Sequence, residues 1–122
     1  MPKPKTTPIN YIELPVTNMG AAKSFYAKAF GWEYIDYGPS YAAFTGAGID
    51  GGFDADTERK PSGNGALVVL LDNELEACLA RVKAAGAEIS IPIFDFPGGR
   101  RFHFTDPSGN DLAVWAITDG QG

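Results

Sequence analysis

The 122-residue chain has one cysteine, one histidine, no long apolar run and no excess of positive charge. Each shortage excludes something. Cys78 alone cannot form an internal disulfide framework, nor can it supply a thiolate cluster for a metal. The longest apolar runs, such as Ala66 to Leu71, fall far short of the roughly 18 residues that a membrane-crossing helix needs. The amino end lacks the apolar segment of a secretory signal, so a cytoplasmic location is expected. A formal net charge of −5 argues against nucleic acid as a partner and mildly favours neutral or cationic ones. What is present suits one ordinary domain, residues 1–122, because a hydrophobic content of 44% can fill a core at this length. Met1 to Thr7, with its Lys-Pro-Lys run, has no apolar period and is expected to start as a loose tail.

Ile9 to Val16 alternates as a half-buried strand, with Ile12, Leu14 and Val16 on one face and Tyr11, Glu13 and Pro15 on the other. Asn18 is placed to cap a helix over Met19 to Phe30, in which Ala22, Phe25, Ala29 and Phe30 recur at helical spacing before Gly31 stops it. Short strand-like runs follow at Trp32 to Tyr37, Tyr41 to Thr45 and about Ile49 to Phe53, separated by glycine-containing turns. Asp54 to Gly65 carries charges and Pro61 without a hydrophobic period and reads as a connection. The pattern then restarts. Ala66 to Leu71 reads as a strand, and Asp72 or Asn73 as the cap of a helix with Leu75, Cys78, Leu79 and Val82 on one face, ended by Gly86. Glu88 to Ile93, Arg100 to Thr105 and Asp111 to Ile117 read as strands, the last two joined by the Asp106-Pro107-Ser108-Gly109 turn.

Displacing the chain against itself by 55 residues makes the repeat explicit. Asn18 meets Asn73, Ala22 meets Ala77, Lys28 meets Lys83, Ala29 meets Ala84, Gly31 meets Gly86 and Glu33 meets Glu88. The same offset sets Tyr11 opposite Ala66 and Glu13 opposite Val68. The expected fold is therefore α+β: two βαβββ modules, about 8–55 and 64–118, whose strands form one curved, mostly antiparallel sheet. Whether the modules pair within one chain or across a dimer is left open by the sequence.

Ile12-Glu13-Leu14-Pro15-Val16, then Ala22 to Tyr26, Phe30-Gly31-Trp32, Ala80 to Gly86, and Phe104 to Asn110 together resemble the glyoxalase, bleomycin-resistance and extradiol-dioxygenase (vicinal oxygen chelate) superfamily. The likeness covers nearly all of the chain. Within the superfamily it is most similar to the group described as predicted enzymes related to lactoylglutathione lyase. These motifs specify the fold and say little about the reaction. The resemblance implies a divalent ion held by strand residues in the concavity, and it places those ligands at Tyr11, Ala66, Ala113 and the Gly51-Gly52-Phe53 stretch. Neither alanine has a donor, so the usual metal site is read as lost and no cofactor is expected. A relocated site built from Glu13, His103 and Asp111 is the alternative, since all three could face the concavity.

Strand parity supplies the expected pocket. With Ile12, Leu14, Val16, Leu67, Val69, Leu71, Phe102, Phe104, Leu112 and Val114 against the helices, the concave face would carry Tyr11, Glu13, Val68, Leu70, Arg101, His103, Asp111, Ala113 and Trp115. His103 and Glu13 are the candidate catalytic residues. An imidazole suits proton transfer near neutrality, although a hydrogen-bonded pocket histidine is the plainer reading. Glu13 is either a solvated strand carboxylate or the pocket's anion. Tyr11, Arg101, Asp111 and Trp115 are the candidate ligand contacts; against this stand plain aromatic packing and a solvated arginine. Cys78, on the helix's apolar face, reads as an inert buried thiol.

The expected function is thus binding or conversion of a small organic molecule without the usual metal. Its rival is stoichiometric sequestration of the bleomycin-resistance kind, and a third reading is a lyase or isomerase with rearranged metal ligands. Short edge strands and the rim of a curved sheet point to a homodimer. Replacing Glu13 or His103 is expected to cost little stability, because both are placed outside the helix-packed core.

Overall fold

The computed structural model describes residues 6–118; most of the expected loose tail lies outside them. The elements run β1 (Tyr11–Pro15), α1 (Met19–Phe30), β2 (Glu33–Asp36), β3 (Tyr41–Thr45), β4 (Asp50–Asp54), β5 (Val68–Leu71), α2 (Leu75–Ala84), β6 (Glu88–Phe96), β7 (Gly99–Thr105) and β8 (Asp111–Ile117). This is βαβββ twice. The strands form two four-stranded hydrogen-bonded sheets, ordered β1-β4-β3-β2 and β5-β8-β7-β6. In each sheet the opening strand pairs in parallel with the closing strand, and the remaining pairs are antiparallel. β1 and β5, each at the end of its own sheet, flank a mainly apolar crevice of about 500 Å³ lined by Ile12, Leu14 and Val68 to Leu71.

α1 starts where Asn18 Oδ1 accepts the amide of Ala21 at 2.8 Å. It stops at Gly31, whose φ of +76° lets its amide turn back to the Ala27 carbonyl at 2.9 Å. Its buried face is Ala22, Phe25, Tyr26 and Ala29, and it packs on α2, β2 and β4. One core draws on both modules: Phe25, Tyr26, Trp32, Phe44 and Phe53 from the first join Leu75, Val82, Phe102, Phe104 and Leu112 from the second. Cys78 is fully buried there, and desolvation pushes its thiol up to about 11, which keeps it protonated and inert.

The second module departs from the expected register at its start. Neither Asp72 nor Asn73 is the cap residue of α2; that place is taken by Glu74, which makes no side-chain cap bond. Asn73 Oδ1 instead accepts the amide of Ile117 at 2.9 Å, and Asp72 accepts that of Glu74. The identity between Asn18 and Asn73 therefore misaligns the repeat by one residue at this end, and β5 shifts with the true cap. Val68 and Leu70, paired with Leu112 and Val114, pack against the core. Leu67, Val69 and Leu71 are exposed, the reverse of the expected arrangement.

The Asp106-to-Asn110 turn holds the modules together. Asp106 Oδ1 accepts the amides of Ser108, Gly109 and Asn110, each at 2.9 Å. Its Oδ2 accepts the Tyr26 hydroxyl at 2.9 Å and Asn110 Nδ2 at 3.1 Å. Asn110 Nδ2 also donates to the Pro15 carbonyl, and Ser108 Oγ accepts the Thr17 amide. The turn read from the sequence is thus also a structural staple: Asp106 and Asn110 are buried, and Tyr26 is fully enclosed. Burial and the neighbouring Asp106 carboxylate raise the Tyr26 phenol well above its ordinary range, so it stays a donor.

Candidate functional site

On the face turned away from the helices, the first module groups three side chains that alternate with its core residues. Tyr41 Oη donates to Glu13 Oε2 at 2.9 Å and shares a 2.5 Å hydrogen bond with Tyr11 Oη. β4 makes room for them. Gly52 lies opposite both Glu13 and Ala43, and a Cβ there would come within 2.5 Å of the Tyr41 hydroxyl. The neighbouring Gly51 faces the other way, where a Cβ would run into the Phe44 ring and the Ile12 carbonyl. Desolvation, followed by the bonds to Tyr11 and Glu13, raises the Tyr41 phenol, so it serves as a donor and not as a base. Glu13 and Tyr11 are exposed and open to a ligand.

The second module presents a different chemistry on the same kind of face. His103 lies opposite Ala113 and Ile91, and Arg101 opposite Trp115 and Phe94. The guanidinium carbon of Arg101 stands 5.3 Å from the centre of the Phe94 ring and 5.4 Å from that of Phe96. Phe94 stacks on the His103 imidazole with ring centres 6.0 Å apart, and Phe96 lies 6.0 Å from Trp115. His103 is consequently only 8% exposed. Burial, reinforced by the charge of Arg101 and only partly opposed by Asp111, lowers its pKa, so the ring is neutral near pH 7. Among the described residues, Arg101 Nε and His103 Nε2 are buried without a hydrogen-bond partner.

Tyr11, Glu13, Arg101, His103, Asp111 and Trp115 all fall on the expected side of their strands, alternating with the core residues Ile12, Leu14, Phe102, Phe104, Leu112 and Val114. Glu13 and Asp111 line a cavity of about 260 Å³ with Arg59, Lys60 and Asn64 of the connection between modules. Asp111 also accepts the Thr105 hydroxyl at 2.9 Å. His103 sits beneath Phe94 of the neighbouring strand, which buries its ring without bringing it into the apolar cluster under the helices. Glu13, His103 and Asp111 do not converge, since no three His, Cys, Asp or Glu side chains among the described residues gather as metal ligands.

Tyr41, Phe94 and Phe96 escaped the sequence reading. Tyr41 could have been found by pairing the alternation of Tyr41, Ala43 and Thr45 with the small Gly52 opposite. The two phenylalanines could not, because β6 shifts register between Ile89 and Ile91 and again between Ile91 and Phe94. These bulges put Ile89 and Ile93 against the core while Ile91 is 42% exposed, which breaks the simple alternation of the three isoleucines.

The sequence profile of the Glyoxalase/Bleomycin resistance protein/Dioxygenase superfamily matches residues 8–114. The chain belongs to this superfamily. The "Putative glyoxylase CFP32" of Mycobacterium tuberculosis is 29% identical to it over 121 residues, an alignment that covers 87% of this chain and 44% of that relative. The chain thus spans less than half the length of the curated relative it matches. Among solved structures, a glyoxalase-related enzyme from Fulvimarina pelagi superposes with a TM-score of 0.78 at 18% identity, covering 91% of this chain and 88% of that one. A glyoxalase/bleomycin resistance protein/dioxygenase family enzyme from Burkholderia phytofirmans PsJN gives 0.77 at 16% identity, covering 89% and 98%. Both likenesses establish the glyoxalase-like fold.

The superfamily's divalent ion can be tested against these residues. Ala113 is fully buried and has no donor, and the parity of β5 replaces Ala66 with the equally inert Leu67. At Gly52 there is no side chain, and the Tyr41 phenol fills the space where one would stand. Tyr11 is engaged with Tyr41. These residues do not fit the ion.

Proposed function

We propose that this chain is a member of the glyoxalase superfamily that binds a small organic molecule on its helix-opposed face without the usual divalent metal. The carrying observation is the Tyr11–Tyr41–Glu13 group over Gly52, which puts an exposed carboxylate and two phenols where the resemblance implies a metal. Apolar walls with a few fixed polar groups are what a small-molecule site needs. In a converting enzyme Glu13 is the base within reach of a bound ligand, and Tyr41 holds its carboxylate in place. Sequestration without turnover is the second reading, favoured by the ring surfaces of Phe94, Phe96 and Trp115, which bind without doing chemistry.

The decisive experiment combines metal analysis of dialysed protein with a thermal-shift ligand screen, followed by a turnover assay on every hit. Less than stoichiometric metal, unchanged hits in the presence of chelator and loss of those hits in Glu13→Gln are expected. About one tightly held transition metal per chain would overturn the metal-free reading. Hits that are released unchanged would select sequestration over catalysis.

We also propose that the chain works as a homodimer. Leu67, just before β5, and Val69 and Leu71 within it are 38%, 41% and 56% exposed, and β5 ends its sheet; an uncovered apolar edge strand invites a partner. Sedimentation should give twice the 13.0 kDa chain mass. A concentration-independent monomer would refute the proposal.

A further inference from the structure

We propose that Arg101 and His103, beneath the rings of Phe94 and Phe96, form an anion subsite that takes the carboxylate of a planar aromatic acid. The proposal rests on the reading of this face as a small-molecule site and adds the class of ligand it recognises.

Four observations carry it. First, Arg101 has no carboxylate partner among the described residues; Lys28, Arg59, Lys60 and Lys83 also lack one, but those four are exposed whereas Arg101 is half-buried. A guanidinium is always charged, and its planar fork matches a carboxylate in shape and sign. Second, Arg101 Nε and His103 Nε2 are both buried without a hydrogen-bond partner. Native proteins seldom leave one such atom unsatisfied, and here two alternate residues of one strand share the defect on one face. An anion settling between them would satisfy both, provided that His103 carries its proton on Nε2. Third, the surroundings of the pair are aromatic: Phe94 and Phe96 flank the guanidinium, and Trp115 lies opposite Arg101 on β8. These rings suit a flat, apolar body attached to the acid.

The fourth observation concerns access. Phe94 and Phe96 belong to β6, the edge strand of its sheet. Its pairing with β7 is broken twice between Ile89 and Phe94, and Pro92 within that stretch has no amide to donate. Phe94, Asp95 and Phe96 themselves stay paired in register with Arg101, Arg100 and Gly99, so the strand remains in place and a rotation of the two phenylalanine side chains admits the ligand's ring beside the guanidinium. The chain's net charge of −5 opposes anions in general. Selectivity must therefore come from this local pair and not from the overall field.

His103 is the chain's only histidine, so tag-free protein gives a single imidazole signal set by NMR. Titration with benzoate is expected to move those signals saturably. Benzamide, which keeps the ring and loses the charge, and acetate, which keeps the charge and loses the ring, should each bind at least about tenfold more weakly. Arg101→Gln should weaken benzoate at least about tenfold in protein that remains folded at the assay temperature, because glutamine removes both the charge and the fork. Arg101→Lys should recover only part of the loss, since it restores the charge without the fork. Equal binding of benzoate and benzamide, an unmoved His103, or unchanged benzoate affinity in Arg101→Gln would each overturn the subsite. If neutral ligands still bind and depend on Glu13, the small-molecule reading survives and only the anion subsite falls. If no ligand of any charge binds, both fall.

Discussion

Asp106→Ala is expected to destabilise the protein by about 4 kcal/mol, measured by equilibrium urea unfolding. The carboxylate accepts three backbone amides on Oδ1 and two side-chain donors on Oδ2, and bonds to a charged acceptor are worth more than neutral ones. Its removal also leaves the Tyr26 hydroxyl buried with nothing to donate to, which carries its own desolvation penalty. The loss is concentrated between modules, because Tyr26 lies on α1 while Asp106 opens the turn between β7 and β8. Ser108→Ala provides the control. It removes only the bond from the Thr17 amide and should cost about 1 kcal/mol or less. If Asp106→Ala proved as mild as Ser108→Ala, the turn would not be the staple described here.

Phe104→Ala is expected to cost about 3–4 kcal/mol through the cavity it opens. The ring is fully buried, and its centre is 5.8 Å from the centres of both Phe25 and Phe30 and 6.4 Å from that of Phe102. A strand of the second module is thereby locked to the helix of the first, so the cavity should loosen both sheets together. Phe104→Leu, which keeps most of the volume, should recover more than half of the loss. Hydrogen exchange should show faster opening of α1 as well as of β7 in Phe104→Ala. A loss under about 1 kcal/mol, or protection lost in β7 alone, would contradict a shared core.

Much of this architecture was legible in the residues. The cap and stop of α1 at Asn18 and Gly31 are local chemistry, and the β7–β8 turn follows from Asp106-Pro107-Ser108-Gly109, so both emerge in place. Strand alternation sorted β1, β7 and β8 correctly, because each has one face against the helices and one turned away. It failed on β5, where nearly every residue is apolar and the period-2 signal vanishes; the assignment then leaned on Asn73, whose side chain serves Ile117 instead of the helix. It also failed on β6, where two bulges reset the alternation.

The site divides along the same line. The sequence by itself determined the paired βαβββ modules, the family, the strand faces of Tyr11, Glu13, Arg101, His103 and Trp115, and the lack of metal donors at Ala113. These depend on residue identity and on periods of two or 3.6 residues, both of which are written along the chain. Only the tertiary structure decided that Tyr41 joins Glu13 above Gly52, that Phe94 and Phe96 cover His103 and flank Arg101, and that Asp106 ties the β7–β8 turn to Tyr26 of the other module. Those outcomes depend on which strands become neighbours and in what register. Register is a property of two segments jointly, set by bulges and by core volume shared across the whole chain, and neither segment carries it alone.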